Sequence, residues 1–250
     1  MVDVQKILGA GGYECLRLIS KMNDTCVIIP AYNEEKVIAS LIERIKNIGL
    51  TVVVVDDGSS DATADMAQAK GAVVLKSEKN QGKGSALRRG FEYALKSQYQ
   101  TIVTLDADGQ HNPESIKDFI QMRKKTNADM VVGNRMRNTE NMPLARIITN
   151  RFMSWLISRA SGQNIPDTQC GFRLIQKIVL ENITLLAARY DMESEILIEA
   201  AKKGYKIESL PIETIYQGEK SQIHPVLDTL RFIKTYLRLL FTKKEQHGFR

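Results

Sequence analysis

Cysteine is scarce in this chain, and the three cysteines present lie far apart, at positions 15, 26 and 170. Their odd number and wide spacing indicate neither a disulfide framework nor a cysteine-rich zinc site, so we expect a reducing, cytosolic setting. Aromatic residues make up only 6% of the chain and are not interleaved with Lys and Arg. This composition argues against a nucleic-acid partner.

Long apolar runs are also missing. No stretch approaches the roughly 18 uninterrupted apolar residues of a membrane span. The first residues, Met-Val-Asp-Val-Gln-Lys, lack the basic-then-apolar order of a signal peptide. A hydrophobic content of 43% in 250 residues nevertheless supports a substantial core. The net charge of +6 favours phosphate-bearing partners or an anionic membrane surface.

Short apolar runs alternate with longer helical patterns from residue 26 onward. Runs that are apolar throughout indicate strands buried on both faces, and their alternation with helices predicts a mostly parallel sheet with right-handed crossovers. The predicted strands are 27–30, 52–55, 73–75, 102–105, 130–132 and 205–210, and the predicted helices are 34–48, 61–70, 83–97, 113–125, 144–160, 177–186 and 193–203.

The pattern predicts one domain over residues 25–225, an extension over 1–24, and an amphipathic helix and tail over 226–250. In helix 144–160 we expect Trp155 to face the core. The last helix fits either an interfacial helix on anionic lipid or a helix that covers the core. Its apolar positions are Val226, Leu230, Ile233, Leu237 and Leu240, and they are interrupted by Arg231, Lys234 and Arg238.

Two carboxylates, Asp106 and Asp108, follow the predicted strand 102–105 at a spacing of two residues. On an extended segment this spacing points both side chains to one face. Two hard oxygen ligands at the end of a buried strand can hold a divalent cation against a diphosphate. The neighbouring His111 is interpreted as a loop histidine and not as a ligand.

Polar residues also follow the other predicted parallel strands, in the segments 30–35, 56–61 and 133–135. Each segment alone could serve only as a helix cap or a turn. Because the carboxyl ends of parallel strands share one edge of a sheet, their convergence favours a ligand site there. Tyr32 offers an aromatic face to a base, and Glu34 and Asp57 can accept hydrogen bonds from a base or ribose.

A basic, glycine-rich segment, 79–85, opens the predicted helix that begins at Lys83. The amino terminus of a helix favours phosphate, although the segment is not a Walker loop. No Gly-x-Gly-x-x-Gly motif follows the first strand, which argues against a dehydrogenase.

Taken in order, these segments resemble the nucleotide-sugar half of family 2 glycosyltransferases, which have the GT-A fold. The resemblance implies an α/β, Rossmann-like three-layer fold around a mostly parallel sheet. Two later segments are similar to motifs of the branch that transfers hexoses to polyprenyl (dolichyl) phosphate. The segments are Cys26–Glu35, Val54–Asp61, Asn80–Gly84, Leu105–Gln110 and Gly133–Arg135 for the family, and Asp167–Arg173 and Tyr190–Glu193 for the branch.

The resemblance implies an inverting transfer of a hexose from GDP-mannose or UDP-glucose to a polyprenyl phosphate, on the cytoplasmic face of a membrane. A membrane-protein partner is left open. The resemblance implies that Mg²⁺ or Mn²⁺ is held by Asp106, Asp108 and Gln110. It implies that the donor is contacted by Pro30, Tyr32, Glu34, Asp57 and Lys83. The donor diphosphate or the acceptor phosphate would be met by Arg135, Arg173 and Lys220.

Several alternatives remain at this point. Ile215 stands where mannosyl members of the branch carry an Arg, which leaves the donor open. A hydroxyl acceptor would need a general base, for which Glu193 or Asp167 is the candidate. A sugar nucleotidyltransferase needs a glycine-rich, Arg-containing loop after the first strand, whereas segment 30–35 is acidic and lacks glycine. A non-catalytic nucleotide-sugar-binding subunit is the third alternative.

Overall fold

The computed structural model describes residues 24–140, 142–185 and 192–213. The predicted C-terminal helix, the site residue Lys220 and nearly all of the predicted N-terminal extension lie outside the described residues. The domain bounds given above therefore stay predictions.

Every strand and helix predicted within the described range is confirmed, with ends that differ by up to four residues, and the structure adds the strand Arg173–Gln176. The two largest differences are at the ends of helices. Helix α4 begins only after a short 3-10 turn at Pro113–Ser115, and α6 ends at Asn182 instead of 186. The elements are β1 Thr25–Ala31, α1 Glu35–Asn47, β2 Thr51–Asp56, α2 Thr63–Ala69, β3 Val73–Lys76, α3 Lys83–Leu95, β4 Thr101–Thr104, α4 Ile116–Thr126, β5 Met130–Asn134, α5 Leu144–Ser161, β6 Arg173–Gln176, α6 Lys177–Asn182, α7 Met192–Lys202 and β7 Ile207–Pro211.

The strands form one sheet in the order β3-β2-β1-β4-β6-β5-β7. Among the described strands, only β6 runs against the others, since it pairs antiparallel with both β4 and β5. The predicted mostly parallel sheet is confirmed. Because β6 is reversed, its first residue lies at the edge where the parallel strands end. The loop before β6 therefore reaches the same edge as the loops after β1, β2, β4 and β5.

The core lies on both faces of this sheet. All seven residues of β1 and all five of β5 are buried, as expected for strands covered by helices on either side. Helix α1 buries one face through Ile38, Leu41, Ile42 and Ile45. Helix α3 approaches β1 closely at Gly90, where a Cβ would lie 2.5 Å from the Cγ2 atom of Ile28. This close contact fixes the helix that presents Lys83.

Trp155 does not face the core, so the prediction for this side chain was wrong. Its side chain is 58% exposed, while Met153 and Ile157 of the same helix are buried. Helix α5 is apolar on two opposite sides, and periodicity alone cannot say which side the protein covers. Among the described helices, none combines the length and the apolar character needed to cross a bilayer.

Candidate functional site at the carboxyl edge of the sheet

Asp106 and Asp108 lie directly after β4, in a turn and not in the extended segment that the sequence suggested. The strand ends at Thr104, residues 107–109 turn, and Gly109 has a φ of 70°. The turn is held by Asp108, whose Oδ1 accepts a hydrogen bond of 3.0 Å from the backbone N–H of Gln110. The expectation that Asp106 and Asp108 share one face of an extended strand therefore does not apply. The three predicted metal ligands, Asp106, Asp108 and Gln110, nevertheless lie in or beside this one turn.

The carboxylate of Asp106 binds a cation supplied by the protein itself. The Nζ atom of Lys83 lies 2.6 Å from Oδ1 of Asp106 and 3.2 Å from Oε1 of Glu193. Burial lowers the pKa of Lys83, but the charges of Asp106 and Glu193 outweigh that effect and raise it above its usual value. Burial likewise raises the pKa of Asp106, and the charge of Lys83 outweighs it, so the net shift is downward. Lys83 and Asp106 are therefore both charged at neutral pH.

The loop before β6 packs against Asp106 at Gly171. A Cβ on residue 171 would lie 2.5 Å from each carboxylate oxygen of Asp106, so any other residue there would have to displace that carboxylate. The backbone is fixed by Thr104 of β4, whose hydroxyl donates a 2.7 Å hydrogen bond to the carbonyl oxygen of Gly171. Sequence reasoning placed Gly171 in a motif but gave it no role, because the contact joins positions far apart in the chain.

Arg135 and Asp167 form a buried ion pair beside this loop. Nε and Nη2 of Arg135 donate to the two carboxylate oxygens of Asp167 at 2.7 and 2.9 Å, and the backbone N–H of Arg135 donates to Oδ2 at 3.0 Å. Burial raises the pKa of Asp167, but the hydrogen bonds and charge of Arg135 outweigh it and lower the pKa overall. Both oxygens are engaged, so Asp167 is a poor candidate for a general base.

Arg173, predicted to meet a phosphate, is directed into the protein. Its side chain is 2% exposed, and its guanidinium donates to the carbonyl oxygens of Cys170, Thr168 and Glu193. It thereby ties the loop before β6 to the start of α7, which carries Glu193. The arrangement favours a positioning role for Arg173 and gives the predicted phosphate contact no support.

The loops after β1 and β2 are joined by reciprocal hydrogen bonds. The backbone N–H of Asn33 donates to Ser59 Oγ at 2.9 Å, and Asn33 Oδ1 accepts from the N–H of Ser60 at 2.9 Å. Asn33 adopts a left-handed φ of 57° and does not cap α1. Glu35 Oε2 accepts from the N–H of Ala62 at 3.1 Å. These bonds fix the loop that presents Tyr32, whose ring is 47% exposed, and Glu34.

Asp57 serves the fold through the basic loop that precedes α3. Its carboxylate accepts from the backbone N–H groups of Gln81, at 3.0 and 3.1 Å, and of Gly82, at 2.7 Å. The side chain is buried, so its predicted contact with a nucleotide stays a prediction. Pro30 is also buried, within β1 and beside Val55 of β2. Asp57 and Pro30 both lie at the carboxyl edge of the sheet, where the sequence predicted the ligand site.

His111 is buried beneath the Asp106 turn and lies against Phe172, with ring centroids 5.7 Å apart. Burial lowers the pKa of His111 to about 4, against the opposing charge of Asp106, so the ring is neutral at pH 7. It supports the turn as an uncharged packing residue.

The residues present suit a divalent cation that a diphosphate helps to coordinate. Within the described residues, no group of three or more His, Cys, Asp or Glu side chains is placed to hold a metal ion. Mg²⁺ at phosphate sites, however, uses one or two carboxylates together with substrate oxygens and water. Asp106 already attracts the ammonium of Lys83. The donor set therefore fits a site that the substrate completes.

The chain belongs to glycosyl transferase family 2, whose sequence profile matches residues 26–184. It is 33% identical over 240 residues to the UDP-N-acetylglucosamine–dolichyl-phosphate N-acetylglucosaminyltransferase of Methanococcus voltae, a match that covers 87% of this chain and 95% of that protein. It is 28% identical to the polyprenol monophosphomannose synthase of Mycolicibacterium smegmatis, over 75% of this chain and 76% of the relative. Both relatives are named for transfer to a polyprenyl or dolichyl phosphate, so the predicted resemblance to that branch of the family is confirmed.

Solved structures agree with the fold. Glucosyl-3-phosphoglycerate synthase from Mycobacterium tuberculosis, in complex with Mn²⁺, UDP-glucose and phosphoglyceric acid, superposes with a TM-score of 0.72 at 20% identity. The match covers 94% of this chain and 85% of that one. At this identity the likeness is one of fold, and it confirms the predicted GT-A architecture.

Proposed function

We propose that this protein is a metal-dependent, inverting glycosyltransferase that moves a sugar from a nucleotide sugar to a polyprenyl (dolichyl-type) phosphate. The cluster of Asp106, Lys83 and Glu193 at the carboxyl edge of the sheet carries the proposal. Relatives named for transfer to dolichyl phosphate or polyprenol phosphate support the acceptor class.

The donor would lie across the loops after β1, β2 and β4, with its base against the exposed ring of Tyr32. Asp106, Asp108 and Gln110 would hold Mg²⁺ or Mn²⁺, which when bound would offset the negative charge that develops on the departing diphosphate. Lys83 places a second cation at the same position. It can leave the Asp106 carboxylate and contact a diphosphate oxygen, because its four-carbon stem is flexible.

The acceptor supplies its own nucleophile. A phosphate monoester has a second pKa near 6 and is mostly dianionic at neutral pH, so it needs no strong general base. Neither candidate base is free in the structure, because Asp167 is bound to Arg135 on both oxygens and Glu193 is paired with Lys83. An acceptor that needs no base suits this arrangement. Attack from the face opposite the diphosphate would invert the anomeric centre. A sugar hydroxyl acceptor, which requires a free base, is less well supported.

We propose three candidate donors: UDP-N-acetylglucosamine, UDP-glucose and GDP-mannose. The first is added because the relative that matches 87% of this chain is named for it. Thermal melting with each donor, with and without Mn²⁺, should show one donor that raises the melting temperature most. We propose that the protein meets its acceptor at the cytoplasmic face of a membrane.

Radiolabelled donor, polyprenyl phosphate and Mg²⁺ or Mn²⁺ should together give label that extracts into organic solvent. Parallel reactions with the unphosphorylated polyprenol and with free sugar acceptors distinguish a phosphate acceptor from a hydroxyl acceptor. A nucleotidyltransferase would instead release pyrophosphate from a nucleoside triphosphate. No transfer with any donor and acceptor would favour the non-catalytic subunit.

A further inference from the structure

Helix α5 presents a stripe of large apolar side chains to solvent. Leu144 is 71% exposed, Ile148 60%, Phe152 42% and Trp155 58%. At 3.6 residues per turn these four positions fall within about 80° of arc on one side of the helix. The rings of Phe152 and Trp155 lie 6.3 Å apart and form the aromatic end of the stripe. A contiguous exposed patch of this kind marks an interaction surface.

The opposite side of α5 is anchored to the candidate site. Met153, Ser154 and Ile157 are buried, and Ser154 Oγ accepts a 2.9 Å hydrogen bond from the backbone N–H of Thr168. Thr168 is the neighbour of Asp167, which holds Arg135. Any surface bound at the stripe would therefore lie about one helix diameter, roughly 10 Å, from the loop that contacts Asp106.

The charge carried by helix α5 itself is of one sign. Helix α5 contains three arginines and no acidic residue across its 18 positions. Two of the arginines, Arg151 and Arg159, are exposed and fall on the same side of the helix as the stripe. An apolar stripe that contains aromatic rings and is flanked by cations is the pattern of an interfacial helix on anionic lipid.

We propose that the exposed face of α5 is the surface by which this protein docks on an anionic lipid bilayer, with the stripe in the interface and Arg151 and Arg159 against lipid phosphates. A second copy of this chain would set like charges against each other. Segment 226–241 has a net positive sequence, with Arg231, Lys234 and Arg238 against Asp228, so it too is a poor electrostatic match for this face. A bilayer supplies both the apolar layer and the negative charge. The inference rests on the proposed lipid-linked acceptor.

The chain contains a single tryptophan, Trp155, so intrinsic fluorescence reports on this face directly. We expect its emission to shift to shorter wavelength when vesicles of phosphatidylcholine with phosphatidylserine are added, and brominated acyl chains to quench it. Pure phosphatidylcholine should give a weaker response. Vesicle binding without a shift would place the contact elsewhere and overturn the proposal. Absence of vesicle binding, or a shift that depends only on protein concentration, would overturn it as well.

Variants sharpen the test while keeping the reporter. Ile148→Gln with Phe152→Gln should weaken partition into anionic vesicles about tenfold, because two apolar side chains no longer enter the interface. Arg151→Gln should weaken it about fivefold at low salt. The control is Met66→Gln with Ile178→Gln, which removes two exposed apolar side chains outside α5 and should leave partition unchanged. Equal losses in stripe and control variants would contradict the assignment.

Failure of the docking surface can be separated from failure of the proposed function. Transfer to a short-chain, detergent-soluble polyprenyl phosphate does not require a bilayer, so the Ile148→Gln with Phe152→Gln variant should retain wild-type turnover there. Loss of turnover only on vesicles supports the docking surface. If the variant also loses turnover in detergent, the stripe acts on the fold or the site, and the proposal fails. If the wild type has no turnover in detergent, the proposed function fails while the fluorescence result still decides the surface.

Discussion

Gly171 packs against the Asp106 carboxylate, and a Cβ on residue 171 would lie 2.5 Å from both carboxylate oxygens in their present position. The two residues come from loops that adjoin different strands, β6 and β4, whose antiparallel pairing brings the loop before β6 to the end of β4. The orientation of the Asp106 carboxylate is therefore set by a glycine 65 positions later in the sequence.

Substitution of Gly171 by alanine should displace the Asp106 carboxylate and with it the Lys83 ammonium. We expect transfer activity to fall at least about a hundredfold, since displacements of about 1 Å cost that much in catalysis. Thermal unfolding should show a smaller effect, a loss of about 1–3 kcal/mol from overpacking. The measurement is turnover beside the melting curve of the same sample. Wild-type turnover in a folded Gly171→Ala protein would show that the Asp106 position is not critical.

Lys83 and a divalent cation should compete for Asp106. Replacement of Lys83 by methionine removes the ammonium 2.6 Å from Oδ1, so Mn²⁺ affinity in the absence of nucleotide should rise by about tenfold. Affinity for a nucleoside diphosphate should fall, because a phosphate contact is lost. Electron paramagnetic resonance of free Mn²⁺ measures the Mn²⁺ affinity, and calorimetry measures the affinity for the nucleoside diphosphate. Lys96→Met, at the exposed far end of α3, is the control and should change neither.

The Arg135–Asp167 pair should contribute to stability in a pH-dependent way. Asp167→Asn leaves a buried guanidinium without its counter-charge and should cost about 3–5 kcal/mol at pH 7. The pKa of Asp167 is lowered in the fold, so the wild type has this stabilisation in full above the unfolded pKa, near 3.9, and loses it as pH falls through the folded value. The difference between wild type and variant in urea unfolding should therefore shrink below about pH 4. A difference that is constant with pH would contradict this account.

Gly58 should be required for the loop that holds Asp57 and the start of α3. Its φ is +77°, and a Cβ there would lie 2.6 Å from the backbone carbonyl carbon of Lys79. Gly162 has a similar φ of +67°, and a Cβ there would have no neighbouring atom within 4 Å, so Gly162→Ala controls for backbone strain alone. We expect Gly58→Ala to lose at least about 1 kcal/mol more than Gly162→Ala. Equal losses in chemical denaturation would show that the loop adjusts freely.

The first half of the fold could be predicted from local pattern. Apolar runs located β1, β2, β4 and β5, and polar segments after them located the site, because parallel strands bury both faces and end at one edge. The direction of β6 could not be predicted. Its four residues are apolar or long and carry no signal for antiparallel pairing. Without β6, the contact of Gly171 with Asp106 could not be anticipated.

Side-chain roles were harder to predict than positions. Lys83 was expected to meet a phosphate, and the structure shows that it also bridges Asp106 to Glu193, 110 positions further along the chain from Lys83. Arg173 was expected at the ligand, yet its donors are used by three carbonyl groups. Trp155 was assigned to the core because α5 is apolar on both sides. The partners of Lys83 are distant in sequence, those of Arg173 depend on how the loop before β6 folds, and the covered side of α5 depends on its neighbours. Periodicity gives no information on any of the three.

Transfer of labelled sugar to polyprenyl phosphate by the wild type and by Asp108→Asn tests the central claim most directly. The control is Asp118→Asn, which removes the same charge from an exposed position on α4. We predict metal-dependent label in the lipid product for the wild type and for Asp118→Asn, with a loss of at least about a hundredfold for Asp108→Asn. Equal product from all three proteins, or product that is unaffected by removing divalent cations, would contradict a metal-assisted reaction at the Asp106–Asp108 turn.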